Sequence, residues 1–519
     1  MKPRKKLFQQ VIKVMTCIAL VAAFLATLKT TTSQADEKFM FGNEVLIHEQ
    51  KDLLKGKKVG LVTNPTGVDQ NLKSTIDVLY NDPDINLTAL YGPEHGVRGN
   101  EQAGGYVEYY TDPDTDLPVY SLYGKTRKPS PEMLEDVDVL LFDIQDAGVT
   151  YYTYVWTMYY VMEAAAENDK EVIILDRPNP LGGEYVAGPV HVEEEQSSFV
   201  GLKDLAVIHG MTFGEIARYF NETFDLGANL KVVKMKNYDR TKRYSELDLP
   251  FVLPSPNIPT TDTLAVYPMT GFFETFTNVS EGRGTTKPFE FIGAEFVSST
   301  EYAEALNQLK LPGVRFRATA FTPAPGQKLA GQLAQGVEVY VTDLDAYDPI
   351  ATGLSMIKTL NDLYPEKIQW REDQWLAKLT GKSFIEEDLR AGVAVQDIIK
   401  KWQPELEEFK KVRKNYLLYG PDATPMKKDL QANAYPPKFV DTIEVEAKDG
   451  KGKLEKPSCY LKNIKELPKG LKVKILNLKE LDLSGATPSG QYVKIRLTYP
   501  DESVLVVEVP LVVHKDTRK

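Results

Sequence analysis

The sequence contains only two cysteines, Cys17 and Cys459. Cys17 lies in an apolar N-terminal run that we expect to be removed, so the mature chain would keep one cysteine and could form no internal disulfide. Metal sites built from several cysteines are excluded for the same reason. Stability is therefore expected to come from burial of apolar side chains and from hydrogen bonds.

Several short enzyme motifs are absent as well. The chain has no HExxH, GxSxG, P-loop or GxGxxG sequence, and it has only five histidines. Zinc proteases, α/β-hydrolases and nucleotide-binding enzymes depend on those motifs. The sequence therefore indicates no metal and no cofactor.

Long apolar runs are missing except near the N-terminus, where Val14 to Leu28 follows four basic residues within the first six positions. Ser33-Gln34-Ala35 then offers a small-x-small cleavage site, so residues 1–35 are predicted to be a signal peptide and the mature chain to begin at Asp36. A retained signal anchor is the alternative, although the run is short for a spanning helix. We expect a secreted, extracellular or wall-associated protein with no stable membrane insertion.

Basic residues are also fewer than acidic residues. The formal net charge is −11, and the predicted signal contains six basic residues and no acidic one, so its removal would change the charge to −17. Such a balance argues against nucleic acid, and against an anionic wall polymer bound by charge alone.

Strand-like apolar runs alternate with segments of helical spacing through the first half of the chain. The predicted strands are Val59 to Thr63, Asn86 to Leu90, Val137 to Phe142, Glu171 to Leu175 and Leu230 to Met235. This alternation predicts an α/β fold with a parallel sheet and crossover helices. A second, smaller α/β unit is predicted from about residue 288.

Polar loops rich in glycine or proline follow three of these strands. They contain Glu94, residues 143–146 and residues 176–183. Because parallel strands place their C-terminal ends at one edge of the sheet, we expect the three loops to converge on one crevice.

The loop Tyr91-Gly92-Pro93-Glu94-His95-Gly96-Val97-Arg98-Gly99 combines a carboxylate, an imidazole and a guanidinium with residues that bend the backbone. Glu94 is a candidate general acid or nucleophile. The alternative is a structural carboxylate that caps a helix or pairs with Arg98.

Other charged residues of the predicted crevice allow two interpretations. Asp143 and Asp176 follow strands directly and could orient substrate hydroxyls, or could cap the next helix. Arg98, Arg177 and Arg283 could bind a substrate anion through a bidentate fork, or could pair with neighbouring carboxylates.

Glu163 and Tyr151 are weaker candidates. Glu163 lies among apolar residues of a predicted helix, where a carboxylate is costly unless it is paired or faces a cleft, and a partly solvated helix face shared with Glu167 is the alternative. Tyr151 could be a platform for a sugar ring, although packing at a helix start is the simpler interpretation.

A cluster of carboxylates with few histidines is typical of glycoside hydrolysis, in which one group protonates the leaving oxygen and a second acts as nucleophile or base. Metal-assisted hydrolases, such as wall amidases or esterases, and non-catalytic glycan-binding proteins remain open from the residues alone.

Five longer motifs resemble those of a known protein family. The segments YGPEHGVRG (91–99), LFDIQDAGVTYYTY (141–154), LDRPNPLGG (175–183), PSPNIPT (254–260) and SEGRGTT (280–286) together resemble the exo-β-N-acetylmuramidase family of peptidoglycan recycling. The resemblance covers about residues 40–418. It implies release of terminal non-reducing N-acetylmuramic acid from muropeptides and disaccharides.

The resemblance also implies an architecture and a catalytic residue. A Rossmann-like domain (36–260) and a smaller auxiliary α/β domain (261–420) would meet at a cleft, and the family's catalytic glutamate falls on Glu94. The second carboxylate is left among Glu281, Glu163 and Asp146. The remaining residues predicted to bind substrate are His95, Arg98, Asp143, Gln145, Asp146, Tyr151, Asp176, Arg177, Asn179, Asn257 and Arg283.

Residues 421–519 lie beyond the resemblance to that family. Their alternating runs, with a hairpin pattern about a Pro-Asp turn near residue 500, predict a small all-β domain, a β-sandwich similar to Rib-type surface repeats. The oligomeric state and the stereochemical outcome of the reaction stay open at this point.

Overall fold

The fold was obtained as a computed structural model, which describes residues 38–99, 109–424, 437–447, 450–478, 481–484, 486–500 and 504–515. The predicted signal peptide lies outside these residues. Contacts divide the chain into two compact units, Met1–Lys410 and Lys411–Lys519. Within the described ranges, no helix is long and apolar enough to cross a membrane.

The first unit contains a seven-stranded sheet. Its strands are β1 (Lys58–Thr63), β2 (Asn86–Gly92), β3 (Tyr110–Thr111), β4 (Pro118–Ser121), β5 (Val139–Asp143), β6 (Glu171–Leu175) and β7 (Asn229–Val233). They lie in the order β3-β4-β2-β1-β5-β6-β7. All neighbours pair in parallel except β3 with β4. The predicted parallel sheet is confirmed.

The strand order places the site. The chain winds outward from β1 through β2 to β4, then returns to the other side of β1 and continues through β5, β6 and β7. Ligands of such sheets bind outside the carboxyl ends of the strands where the winding reverses, which here is between β1 and β5. The loops after β1, β2, β5 and β6 all leave from this edge.

Helices cover the sheet, as the almost wholly buried strands require. They are α1 (Gly42–Glu49), α2 (Thr75–Tyr80), α3 (Tyr154–Glu167) and α4 (Phe213–Thr223). The sequence Thr212-Phe213-Gly214-Glu215 predicts a capping box, and it is present at α4, where Thr212 and Glu215 satisfy each other's backbone N–H groups. At Ser130-Pro131, where the sequence predicts a helix start, only a 3₁₀ turn (Glu132–Leu134) forms.

A second, antiparallel sheet follows within the same unit. Helix α5 (Thr261–Thr270) precedes strands β8 (Phe291–Ala294), β9 (Val314–Phe321) and β10 (Ala334–Val341), which lie in the order β8-β10-β9. The other helices are α6 (Ser299–Gln308), α7 (Pro349–Leu363), α8 (Trp375–Thr380), α9 (Ser383–Arg390) and α10 (Val395–Arg413). Mixed α/β structure after residue 261 thus agrees with the sequence.

The second unit contains a four-stranded sheet with the order β11-β14-β13-β12. Its elements are β11 (Ile443–Glu446), α11 (Gly450–Leu454), β12 (Lys472–Ile475), β13 (Thr487–Thr498) and β14 (Val504–His514). Strands β13 and β14 form the predicted antiparallel hairpin, whose turn at 501–503 lies outside the described residues. A sandwich of two sheets and the likeness to Rib repeats stay predictions.

The separate cores of the two units predict the outcome of a truncation. The apolar clusters of the parallel sheet and of the hairpin sheet share no residue. A chain that ends at Pro421 should therefore remain folded, because few contacts cross a domain boundary. Circular dichroism and thermal unfolding should show a cooperative transition near that of the full-length chain. Loss of the transition would place the C-terminal residues inside the first core.

Candidate active site

Glu94 lies in a tight turn directly after β2. The N–H of Gly96 donates to the carbonyl of Pro93 at 3.1 Å, and His95 and Gly96 have φ angles of 75° and 74°. A positive φ is unfavourable for a histidine, so surrounding contacts must hold this turn. His95 is buried, whereas Glu94 is half-buried. The turn therefore presents the Glu94 carboxyl at the C-terminal edge of the sheet.

Tyrosine side chains surround this turn. The hydroxyl of Tyr154 donates to the carbonyl of Pro254 at 2.8 Å and lies 3.4 Å from the carbonyl of Glu94. The ring of Tyr152 lies 4.7 Å from that of Tyr154 and 6.0 Å from that of Tyr267. These tyrosines therefore connect three segments, which are the turn Pro93-Glu94-His95-Gly96 (the PEHG turn), the loop that contains Pro254, and helix α5.

Tyr123 is the phenol most directly coupled to Glu94. Burial, followed by the charge of Glu94 and a hydrogen bond to its side chain, raises the pKa of Tyr123 to about 12. The phenol is consequently protonated at neutral pH and can donate a hydrogen bond to the Glu94 carboxylate.

A second group of charges lies after helix α5. Glu281 is 2% exposed, and its two oxygens lie 3.0 Å from Arg283 Nη1 and 2.6 Å from Lys328 Nζ. The Nη2 of Arg283 donates to Glu274 Oε1 at 2.7 Å. Burial would raise the pKa of Glu281, but the charges of Lys328 and Arg283 outweigh it and lower that pKa. Glu281 is therefore a buried carboxylate held between two cations.

The two groups belong to one site. Burial, Glu274 and Glu94 all raise the pKa of Tyr267, while Arg283 opposes them. Glu94 and Glu274 likewise both raise the pKa of Tyr123. Ring contacts link the two groups, since the ring of Phe289 lies 4.9 Å from the Arg283 guanidinium and 4.7 Å from the ring of Tyr267, which in turn lies 6.0 Å from the ring of Tyr152. The segment after α5 therefore faces the PEHG turn.

Asp143 and Arg177, both predicted to bind substrate, bind each other. Arg177 is 3% exposed and donates from Nε at 2.6 Å and Nη2 at 3.1 Å to the Asp143 carboxylate. Asp143 also accepts from Thr75 Oγ1 at 2.6 Å, and Arg177 Nη2 donates to the carbonyl of Val68 at 2.8 Å. The pair ties the ends of β5 and β6 to the loop after β1.

Asp176 and Arg98 also bind protein groups. Asp176 accepts from Thr212 Oγ1 at 2.7 Å and from the N–H of Gly214 at 2.8 Å, so it caps helix α4. Arg98 donates from Nε and Nη2 to the two oxygens of buried Asp112, each at 2.9 Å. The contacts of Asp176 match the alternative of a helix cap, and those of Arg98 match the alternative of an ion pair with a carboxylate.

Gln145, Asp146 and Asn179 lie buried at the same edge. Gln145 Nε2 donates to the carbonyl of Pro178 at 2.8 Å. Asp146 Oδ2 lies 3.1 Å from Nε2 of the buried His209, whose Nδ1 is 3.4 Å from Asn179 Nδ2. These polar contacts join the loops after β5 and β6.

The remaining predicted residues are Glu163, Tyr151 and Asn257. Glu163, on α3, is 30% exposed at its side chain and lies 3.2 Å from Lys128 Nζ. Tyr151 is buried and donates its hydroxyl proton to the carbonyl of Tyr267 at 3.0 Å. Asn257 is half-buried in the loop before α5. No contact of Glu163 with the Glu94 surroundings is seen among the described residues.

Sequence reasoning missed four residues of this site: Tyr123, Tyr267, Glu274 and Arg127. The guanidinium of Arg127 lies 4.3 Å from the ring centre of Phe199, which packs 6.3 Å from Tyr123. Glu274 had one signal, since it is the only charged residue in the apolar run Gly271-Phe272-Phe273-Glu274-Thr275-Phe276. The other three are isolated polar residues whose neighbours come from distant parts of the chain.

A separate cavity of about 220 Å³ lies between the loop after β6, helix α5 and strand β10. None of the predicted site residues lines it. The candidate site is therefore defined by the groups around Glu94 rather than by this cavity. Over the described ranges, no group of three or more His, Cys, Asp or Glu side chains has the arrangement of a metal site.

Family models and relatives match most of the chain. Residues 59–262 match the N-terminal model and residues 265–419 the C-terminal model of exo-β-N-acetylmuramidase NamZ. The peptidoglycan β-N-acetylmuramidase NamZ of Bacillus subtilis (strain 168) is 50% identical over 416 residues, which are 80% of this chain and 100% of the relative.

Two solved structures share the fold. Both are crystal structures of DUF1343 family proteins from Bacteroides fragilis NCTC 9343, and each match covers 74% of this chain and 99% of the other. One is 40% identical with a TM-score of 0.69, and the second is 29% identical with a TM-score of 0.61.

The buried ion pair at the sheet edge predicts a large effect on stability. Asp143→Ala should lower the free energy of unfolding by about 3 to 5 kcal/mol, because it leaves the Arg177 charge buried without its partner. Asp136→Ala, which breaks an exposed pair with Lys58, should have a far smaller effect because solvent screens that pair. Urea unfolding of both variants checks this, and equal effects would contradict it.

Proposed function

Because the chain belongs to the exo-β-N-acetylmuramidase NamZ family and is a glycoside hydrolase, we propose that it releases terminal, non-reducing N-acetylmuramic acid from peptidoglycan fragments. Its substrates would be muropeptides and disaccharides. The single observation that carries this proposal is the Glu94 carboxyl, presented among protonated phenols at the carboxyl edge of the parallel sheet.

The surroundings of Glu94 suit a general acid. Hydrolysis of a glycoside requires a carboxyl group that gives its proton to the leaving oxygen. The phenol of Tyr123 can donate to the carboxylate that remains, and so stabilise its charge. The half-buried position leaves the carboxyl accessible to a sugar while its backbone is held by the turn.

We propose further that the enzyme is secreted. The N-terminal basic and apolar segment with its small-x-small site supports export, which would bring the enzyme to wall fragments. Residues 421–519 would act as a Rib-like spacer or wall-proximal module outside the catalytic site.

Removal of the Glu94 proton donor should abolish most turnover. Glu94→Gln should keep the fold and most substrate binding while lowering kcat on an unactivated muramyl disaccharide by roughly two to four powers of ten. Released muramic acid should be measured with and without EDTA. A variant of near-normal rate would remove Glu94 from the mechanism, and loss of wild-type activity on chelation would favour a metal-dependent hydrolase instead.

Selectivity for muramic acid requires a cation for its lactyl carboxylate, and the three arginines predicted for this role each bind a protein carboxylate. Arg127 differs. It is exposed, packs on Phe199 beside Tyr123, and forms no ion pair with any described carboxylate. We propose that Arg127 binds the lactyl group.

Arg127→Ala should therefore discriminate between sugars. The loss in kcat/KM should correspond to about 1.5 to 3 kcal/mol on an aryl muraminide, the usual contribution of a hydrogen bond to a charged group, with little change relative to wild type on the glucosaminide. Lys128→Ala is the matched control, because that nearby charge is already paired with Glu163 and Glu167. Equal losses on both sugars would assign Arg127 a structural role.

A further inference from the structure

We propose that Glu274 is the second carboxylate of the hydrolysis, facing the anomeric carbon across the sugar from Glu94, and that Glu281 acts only by positioning Arg283. This inference rests on the proposed function and deepens it, since it names the group that completes the catalytic pair.

Glu274 is held rigidly. It belongs to the 3₁₀ turn Gly271–Thr275, whose neighbouring Phe272 and Phe273 side chains are fully buried. Backbone contacts fix both sides, because the carbonyl of Phe273 accepts from Lys328 and the carbonyl of Thr275 accepts from the N–H of Arg371. A carboxylate on such a segment keeps a defined direction, as a catalytic group requires.

One oxygen of Glu274 remains available to substrate. Oε1 accepts from Arg283 Nη2 at 2.7 Å, and this ion pair stabilises the negative charge. Oε2 has no hydrogen-bond donor among the described residues, and the side chain is 18% exposed. One oxygen of the Glu274 carboxylate is therefore bound to Arg283, and the other oxygen is open to a substrate.

Glu281 lacks such access. It is 2% exposed, and a cation lies against each of its oxygens, Arg283 at 3.0 Å and Lys328 at 2.6 Å. Lys328 also donates to the carbonyl of Phe276 at 2.9 Å, and this hydrogen bond holds its ammonium group beside Glu281. Glu281 can therefore reach neither a sugar nor a water molecule, but it fixes the guanidinium that holds Glu274.

Contacts of the aromatic rings connect Glu274 to the Glu94 side of the site. Arg283 lies 4.9 Å from the ring centre of Phe289, which packs 4.7 Å from Tyr267. The ring of Tyr267 in turn lies 6.0 Å from that of Tyr152, beside the PEHG turn. The influence of both carboxylates on Tyr123 and Tyr267 agrees with this arrangement.

The chemistry follows from two carboxyl groups on opposite sides of the glycosidic bond. As the C1–O bond breaks, its electron pair leaves with the oxygen, which takes the proton of Glu94. The oxygen of water becomes bonded to C1, and the proton of that water goes either to Glu274 in one step or, after a covalent Glu274 ester, to Glu94. In both routes Glu274 lies on the α face of a β-muraminide.

Chemical rescue tests this position. Glu274→Ala should lower kcat on an aryl β-N-acetylmuraminide by roughly two to four powers of ten. Sodium azide should restore part of the rate, because the small anion enters the space left by the carboxylate and forms a C1–N bond as the aryl oxide departs. The product should be the α-muraminyl azide, identified by NMR.

Two control variants separate catalysis from structure. Glu281→Ala should lose activity without azide rescue, because Arg283 loses its position while the α face stays closed. Glu304→Ala removes an exposed carboxylate on helix α6 and should leave the rate unchanged. Thermal unfolding shows whether each variant is folded, and Glu274→Gln, which keeps the shape of the side chain, should lose kcat even if the alanine variant does not fold.

The outcomes are distinct. Rescue of Glu274→Ala with an α-azide product supports the inference. Near-wild-type activity of the Glu274 variants, failure of azide to rescue a folded Glu274→Ala, or azide rescue of Glu281→Ala instead would overturn it. A wild-type protein that does not cleave the muraminide would remove the proposed function together with this inference, whereas active wild type with normal Glu274 variants would remove the inference alone.

Discussion

The buried ion pair between Asp143 and Arg177 organises the edge of the sheet on which the site is built. It joins the ends of two adjacent strands, and it also binds the side chain of Thr75 on α2 and the backbone at Val68. A buried pair adds little net stability over apolar residues, but an unpaired charge there is strongly unfavourable. The pair therefore favours one arrangement of these loops over alternatives, and the PEHG turn lies beside them.

The site divides carboxylates between two environments. Glu94 lies among neutral phenols, whereas Glu274 and Glu281 share the guanidinium of Arg283. Carboxyl groups with such different neighbours suit the two different roles that glycoside hydrolysis requires of its carboxyl pair. Glu281 differs from Glu274 in its surroundings, since it is buried between the charges of Arg283 and Lys328.

Strands and helix caps could be predicted from the sequence because their signals are local. The buried run at β5, the strand Glu171–Leu175 and the capping box at Thr212 all appear in the structure with nearly the expected bounds. Prediction was less accurate where tertiary contacts compete with local preference. The spacing of Leu72 to Tyr80 predicts a helix from Leu72, but the helix begins only at Thr75, because Leu72 has a φ of 64° and Ser74 caps the helix.

By itself the sequence determined the α/β class, the placement of Glu94 after a strand and, through five motifs, the enzyme family. Only the tertiary structure decided which charged side chains are paired with other protein groups. Asp143 and Arg177 are 34 residues apart and bind each other, so neither charge can be assigned to substrate from its position in the chain. Glu274 and Arg127 are isolated residues without a motif, and only the fold shows which groups lie beside them. Charges pair when they lie close together in the fold, and the separation of two residues along the sequence does not indicate whether they do.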